Sequence, residues 1–438
     1  PWQYHKARAR LTWALNEQLD FELTSPYLQV QGDEGELAGD FVIAIPQTPG
    51  LESYMDLRVG LRNGQASYKD KYLPLVLRDK QKELWDWLHA AIRGGDIHQG
   101  YFQYQGSLAS GVPPEARSVS LFFDVDNAEL AWQPGWPSLH EGRTRVYVDN
   151  RGIEVEIDRA RILDTAVGQS HAQVSYPTSG PAQLRVETQL DSTLADALYM
   201  VQKTPLATSL PQLADWQGQG RLPGHLQLDI PLAADQLAHV VLDLVLDDNR
   251  LQMPEYGLAF EKLKGTLRID SQRGLFGDAL SGRFLGQPFT ASVAPQKGAK
   301  AWSAQLRGKG RMQAERLQQW LELSASPLNG SFDYQLDLQV WEQGGQLQVD
   351  SNLQGVRIDL PAPLGKAATE QVPTLWHMTL DDTGQHYRLQ HGQRLNALLA
   401  LGQGKDAALR GELVLDGRAA RVPASPGLRI KGRLAQLS

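Results

Sequence analysis

The residues best suited to chemistry in this sequence are ten scattered histidines and a few closely spaced acidic residues. His377, His386 and His391 form the one local histidine cluster, but they lie among strand-like residues and lack the spacing of metal ligands. We interpret them as ordinary surface histidines. The segments 124–127 (DVDN) and 381–384 (DDTG) resemble calcium loops only faintly, because the remaining oxygen ligands are missing, and we interpret both as turns.

The sequence also lacks the familiar motifs of catalysis and nucleotide binding. No G-x-S-x-G, H-E-x-x-H or G-x-x-x-x-G-K-[ST] pattern occurs, and the absence of cysteine excludes thiolate metal sites and cysteine nucleophiles. The formal net charge of −7 leaves no positive surplus to neutralise a nucleic-acid backbone. We therefore expect no catalytic residue, no metal, no cofactor and no nucleic-acid partner.

Period-two alternation of apolar and polar residues dominates the chain and predicts strands with one apolar and one polar face. Three such runs have the apolar sets Leu121, Phe123 and Val125; Leu226, Leu228 and Ile230; and Phe332, Tyr334, Leu336, Leu338 and Val340. Polar residues such as Gln227, Asp229, Gln335 and Asp337 separate the apolar ones. The pattern predicts a mainly β fold built on one long antiparallel sheet.

Three segments break this alternation and carry apolar residues at helical spacing instead. They cover about residues 80–93, 194–203 and 313–323. Thr193 and Asp196 have the spacing of a capping box before the second segment, and Pro205 follows its end. Gly94-Gly95 supplies a stop for the first segment. We predict three short amphipathic helices that interrupt the sheet.

The helical segments recur at an interval of about 120 residues, which indicates a weak internal repeat. Aligning the second and third segments superposes Leu198 on Trp320 and Thr204-Pro205-Leu206 on Ser326-Pro327-Leu328. We expect residues 1–438 to form one continuous elongated segment of a larger protein. Its predicted repeats cover about residues 1–93, 94–203, 204–323 and 324–438.

Several short landmarks occur in a distinctive order along the chain. They are Tyr72-Leu73-Pro74, 84–88 (LWDWL), 94–97 (GGDI), 130–137 (LAWQPGWP), Thr204-Pro205-Leu206 and 360–366 (LPAPLGK). In their order and spacing they resemble the YhdP family of AsmA-like envelope proteins. The resemblance extends from about Tyr72 to Lys366, and none of the landmarks is catalytic.

This resemblance implies a periplasmic protein, anchored in the inner membrane by an N-terminal helix that precedes the present sequence. Such a protein helps to move glycerophospholipids toward the outer membrane, and it contacts the outer membrane or its proteins. The resemblance also implies a fold, namely a long sheet curled into an open, U-shaped groove that is apolar inside and polar outside. Phospholipid and the two membranes are therefore the expected partners.

The alternating strands lead to the same expectation on physical grounds. About 25 strands stacked at ~4.8 Å, each with an apolar stripe turned inward, would line a wall about 120 Å long. Transfer of one methylene group into water costs ~0.8 kcal/mol of free energy, so exposing a lipid with about 30 methylenes costs on the order of 25 kcal/mol. Sliding along an apolar wall avoids that exposure, so the three apolar sets named above are candidate lipid contacts.

Two other functions fit parts of the sequence. The same apolar sets would also form the closed core of a β-rich structural or glycan-binding module, with exposed aromatics such as Trp132 and Trp136 as a carbohydrate platform. Packing against the sheet is the more usual role of such tryptophans. An unrecognised glycan hydrolase would use paired carboxylates, but Asp and Glu occupy the polar positions of the predicted strands, where solvated charges belong.

Overall fold

The computed structural model describes residues 3–73, 78–79, 82–109, 111–176, 179–233, 236–254, 257–296, 303–322, 327–341, 344–402 and 408–432. Strands make up 63% of the chain and form one mixed sheet, which confirms the mainly β prediction. Contacts between Cα atoms divide the chain into two compact units. The first comprises residues 1–214 and 223–240, and the second comprises residues 215–222 and 241–438.

Ten long strands follow one another in chain order in the first unit. They are β1 (Lys6–Leu15), β2 (Phe21–Gly32), β3 (Gly35–Ile45), β4 (Tyr54–Gln65), β5 (Ile92–Ser107), β6 (Arg117–Leu130), β7 (Leu139–Asp149), β8 (Gly152–Ile162), β9 (Thr165–Ser175) and β10 (Gln183–Thr193). Each pairs antiparallel with the next. Tight hairpins such as the one between Asp149 and Gly152 join several of them. This unit has the predicted antiparallel order.

The remaining strands are β11 (Gln217–Gln219), β12 (Arg221–Pro231), β13 (His239–Met253), β14 (Leu258–Asp270), β15 (Gly274–Phe284), β16 (Gln287–Pro295), β17 (Ser303–Gln313), β18 (Leu328–Trp341), β19 (Gly344–Ser351), β20 (Val356–Ile358), β21 (Thr374–Asp381), β22 (Gly384–His391), β23 (Leu395–Leu401), β24 (Leu409–Val414) and β25 (Gly427–Lys431). Strands β13 to β19 pair antiparallel in order, and β21 continues the sheet beside β19. The last pair, β24 and β25, is parallel and departs from the prediction. Residues 415–426 provide the crossover that a parallel pair requires.

In the described part of the chain, four α-helices with complete bounds lie between strands: α1 (Lys69–Tyr72), α2 (Lys82–Ala91), α3 (Leu194–Lys203) and α4 (Ala314–Trp320). Helix α3 has the predicted bounds. Its cap is also as predicted, because the Thr193 hydroxyl accepts a hydrogen bond from the Asp196 backbone N–H at 3.0 Å. Helix α4 ends at Trp320, short of the predicted residue 323, which lies outside the described residues together with 324–326.

Helix α2 ends earlier than predicted. Residues 80 and 81 of the predicted helix lie outside the described residues, and the helix stops at Ala91 because β5 begins at Ile92. Gly94-Gly95 does not end it, since both glycines lie within β5 at shifts in its register with β6. The short helix α1 was not predicted, because its sequence KDKY has no apolar periodicity.

Three tryptophans of the landmarks, and Trp320 of α4, make packing contacts. The Trp87 indole of α2 donates a hydrogen bond to the Trp132 carbonyl at 3.0 Å, and the Trp132 indole donates to the Pro137 carbonyl at 3.0 Å. The rings of Trp132 and Trp136 lie 4.9 Å apart. Trp320 of α4 packs edge to face on Phe284 of β15 at 6.5 Å. These contacts favour packing over a carbohydrate platform for the tryptophans.

The late landmark 360–366 is also structural. Lys366 is 4% exposed, and its ammonium group donates hydrogen bonds to the carbonyls of Val356 (2.8 Å), Ala367 (2.9 Å) and Glu370 (2.6 Å). These bonds tie together the long connection between β20 and β21. The landmark residue Pro74, and Ser326 of the aligned repeats, lie outside the described residues.

Candidate functional site

The register of the first unit aligns apolar residues from strand to strand on one face of the sheet. Directly opposed residues of neighbouring strands point to the same face, so a chain of paired residues traces that face. The first apolar row, as we call it, consists of Ala9, Leu28, Gly39, Val59, Phe102, Leu121, Val148, Ile153, Val174 and Leu184. It takes one residue from each strand, β1 to β10, without interruption.

The candidate residues of β6 belong to this face. Leu121 is a member of the first apolar row, and Phe123 lies opposite Gly100 on one side and Val146 on the other. Val125, opposite Ile97, is buried. The structure therefore places all three predicted residues of this set on the apolar side.

The candidate residues of β12 are placed by the polar residues between them. The Arg185 guanidinium of β10 donates to the Asp229 carboxylate at 2.7 Å, and His225 lies 3.1 Å from the Glu187 carboxylate. These cross-strand contacts occupy the face opposite the first apolar row. Leu226, Leu228 and Ile230 alternate with Gln227 and Asp229, so they point to the apolar side, where they are half-buried.

The second unit has an apolar face of the same kind. The second apolar row consists of Gly277, Val293, Leu306, Leu338, Leu347, Met378, Tyr387, Leu399, Gly411 and Leu428. Its members come from β15 to β19 and β21 to β25 in order. Leu338 is the predicted residue in this row.

The other predicted residues of β18 flank Leu338 on the same face. The structure pairs Phe332 with Met312, Tyr334 with Gly310, Leu336 with Gly308 and Val340 with Ala304 across β17. All are half-buried. Burial raises the pKa of the Tyr334 phenol, which keeps this side chain neutral.

Glycines on the apolar faces make room for large neighbours. A Cβ atom on Gly100 would lie 2.7 Å from Phe123 Cδ1, and a Cβ atom on Gly310 would lie 2.8 Å from the Tyr334 hydroxyl oxygen. The rings therefore lie over the backbone of the next strand instead of beside another side chain. Sequence alternation alone did not identify these glycines, although both stand at apolar positions of their strands.

The opposite face of each unit carries charged pairs across strands. Arg58 lies 2.8 Å from Asp40, Arg268 lies 2.9 Å from Asp243, and Arg307 lies 3.3 Å from Asp337. Hydrogen bonds from Gln305 and Gln339 lower the pKa of the Asp337 carboxyl, although burial alone would raise it. Exposed ion pairs of this kind add about 0–1 kcal/mol each to the free energy of unfolding. They therefore stabilise the fold little, and they mark this face of the sheet as the polar one.

The structure corrects two interpretations from the sequence, one about the histidine cluster and one about the acidic segments. His377 and His386 lie on the polar face, but His391 is 6% exposed, so it is buried and not a surface histidine. Its Nδ1 atom lies 2.7 Å from the Thr374 hydroxyl. Segment 124–127 lies within β6 and is not a turn, whereas 381–384 is the predicted turn between β21 and β22. Among the described residues, no group of histidines and carboxylates is arranged to hold a metal ion.

Most residues of the two rows were not singled out from the sequence. The alternation of apolar and polar residues is shorter or interrupted in several strands, including those that carry Val59, Phe102, Leu347 and Met378. The run from Leu375 to Leu380 shows the difficulty, because Leu375 is apolar yet pairs with Asp350 on the polar side. Only the pairing of strands identifies such residues.

Comparison with known proteins gives a clear family assignment. The family model described as YhdP protein matches residues 1–438, the whole chain. The chain belongs to the YhdP family. No curated protein and no solved structure matches it.

Membership of the YhdP family gives the apolar rows a context. The family is AsmA-like and consists of envelope proteins with a role in lipid transport. Among the described residues, no helix combines the length and hydropathy needed to cross a bilayer. The uninterrupted apolar rows are therefore the feature of this YhdP-family chain to relate to lipid.

Proposed function

We propose that this chain is a segment of a periplasmic conduit that carries glycerophospholipids between the inner and outer membranes. Acyl chains slide along the apolar faces, and no catalytic step is involved. An inner-membrane anchor and contact with the outer membrane or its proteins belong to the same proposal. The observation that carries it is the continuity of the two apolar rows, each spanning ten strands.

The chemistry of the rows suits acyl chains. Nearly all members of each row carry apolar or aromatic side chains, the others are glycines, and no row member is charged. Burying each methylene of a lipid against such a surface is worth ~0.8 kcal/mol. Because successive strands offer the same kind of contact, an acyl chain that moves by one strand exchanges equivalent contacts. No single position therefore binds the acyl chain much more tightly than its neighbours do.

The burial of the rows favours an open face over a closed core. Side chains in the closed core of a sandwich are almost fully buried. By contrast, Leu121, Phe102, Leu338 and Met378 are only half-buried. This partial exposure leaves apolar surface available to a lipid within each unit. A structural module with a closed core would instead bury these side chains almost completely.

Site-specific photo-crosslinking in cells tests the conduit. A photoreactive amino acid at Leu228 or Leu336 should form adducts with phospholipid, because both positions are half-buried on the apolar side. Mass spectrometry of the purified protein identifies the adduct and its head group. Gln227 and Gln335 are matched controls, since they lie in the same strands, are exposed and point to the opposite face.

The paired positions make the result decisive. We expect lipid adducts at Leu228 and Leu336 and at most background at Gln227 and Gln335. Adducts with protein alone at Leu228 and Leu336 would overturn the conduit. Equal lipid labelling on the two faces would also overturn it, because it would indicate nonspecific association with lipid.

A further inference from the structure

The polar face of the first unit carries an aromatic row on the side of the sheet opposite the first apolar row. Tyr101 of β5, Phe122 of β6 and Tyr147 of β7 are opposed in register, and each points away from the first apolar row. Ring centroids are 6.1 Å apart between Tyr101 and Phe122 and 5.1 Å apart between Phe122 and Tyr147. Three rings therefore form a continuous strip across three strands.

The strip is exposed. Tyr101 is 51% and Tyr147 is 37% exposed, although exposed positions on this face otherwise carry residues such as Gln103 and Glu154. Cross-strand aromatic pairs stabilise a sheet, but the first apolar row already supplies an apolar face behind the same strands. Exposed aromatic surface beyond that requirement indicates a binding site.

The strip lies along a cavity of about 1390 Å³ in the first unit. In the strand beside Tyr101 the opposed residue is Gly60, and a Cβ atom there would lie 3.7 Å from the Tyr101 ring. Because glycine has no side chain, the space beside the ring is open. Gln103, Arg58 and Glu154 also line the cavity and supply hydrogen-bond donors and acceptors, and members of the first apolar row such as Phe102 and Leu121 line it as well. Flat rings are thus bordered by polar groups.

We propose that this aromatic strip binds a chain of uncharged sugars. Sugar rings have apolar C–H faces that stack on aromatic rings and hydroxyl edges that bond to amide, carboxylate and guanidinium groups. Basic and acidic side chains line the cavity in nearly equal numbers, and Arg58 and Arg151 are paired with Asp40 and Asp149 at 2.8 and 2.9 Å. A polyanion would find little net attraction there.

Binding of three defined oligosaccharides tests the site. Saturation-transfer NMR on the whole chain, with cellohexaose, maltohexaose and the N-acetylglucosamine hexamer, should detect at least one ligand. Tyr147→Leu should weaken its binding about fivefold, because an aliphatic side chain keeps bulk but loses the flat face, whereas Tyr147→Phe should retain it. Gly60→Val should also weaken binding, because the new side chain fills the cavity beside Tyr101.

Matched variants separate binding from stability. Tyr27→Ala removes a tyrosine that is 46% exposed on the same face but outside the cavity, so it should leave binding unchanged. Absence of binding by all three oligosaccharides would overturn the proposal. Equal weakening by Tyr27→Ala and Tyr147→Leu would overturn it too. Either result leaves the test of the lipid conduit unaffected, because its photo-crosslinking positions, Leu228 and Leu336, lie outside this cavity.

Discussion

At the scale of single residues, a carboxylate with a clearly lowered pKa, Asp20, lies in a turn and not on either apolar row. The Asp20 carboxylate accepts hydrogen bonds from Asn16 Nδ2 (2.9 Å), from the Thr48 hydroxyl and backbone N–H (2.8 Å each) and from the Gln47 backbone N–H (2.6 Å). The bonds from Asn16 and Thr48 lower the pKa of Asp20 from 3.8 to about 2. They join the β1–β2 turn to the segment after β3.

This network predicts a defined response to acid. Because the pKa of Asp20 is lower in the folded than in the unfolded chain, its stabilising effect is fully present above pH 3.8 and is lost as the pH falls through about 2. The Gln47 and Thr48 amide signals should therefore titrate with a midpoint near 2 in heteronuclear NMR. Asp20→Asn should abolish that titration, whereas a midpoint near 3.8 would contradict the network.

At the scale of elements, local signals predicted some boundaries and failed at others. Helix α3 was predicted to the residue because Thr193 caps it and Pro205 follows it. The end of α2 was misplaced because Gly94-Gly95 looks like a helix stop but serves a strand bulge. Both uses exploit the same freedom of glycine, so sequence alone does not distinguish them.

The close fit of rings over glycines gives a second prediction. Gly100→Ala should reduce the free energy of unfolding by about 1–3 kcal/mol, because the new methyl group meets the Phe123 ring and overpacks the apolar face. Gly94→Ala in the same strand is the control, since no atom lies within 4 Å of its Cβ position. Urea unfolding followed by circular dichroism compares them, and equal midpoints would show that Phe123 moves aside freely.

At the scale of the whole molecule, alternation predicted which residues share a face within a strand but not which strands' residues meet. A slip of one residue turns every side chain to the other face, and bulges such as the one near Asn127 shift the pairing along β6. Six strands, β5 to β10, separate α2 from α3, and six long strands, β12 to β17, separate α3 from α4. We propose that this spacing reflects the repeats predicted at about 94–203 and 204–323.

A conduit along the first unit should be interrupted by a charge placed in its path. Leu184→Asp places a carboxylate in the first apolar row, and a charge without a partner among acyl chains costs several kcal/mol, roughly enough to lower passage by more than tenfold. Lipid adducts at a photoreactive residue in place of Leu228 should then decrease, because Leu228 lies in the same unit on β12, the strand that pairs with β10. Gln183→Asp, exposed on the opposite face of the same strand as Leu184, should leave them unchanged. Undiminished labelling in a folded Leu184→Asp variant would mean that lipid reaches Leu228 without passing along the first apolar row.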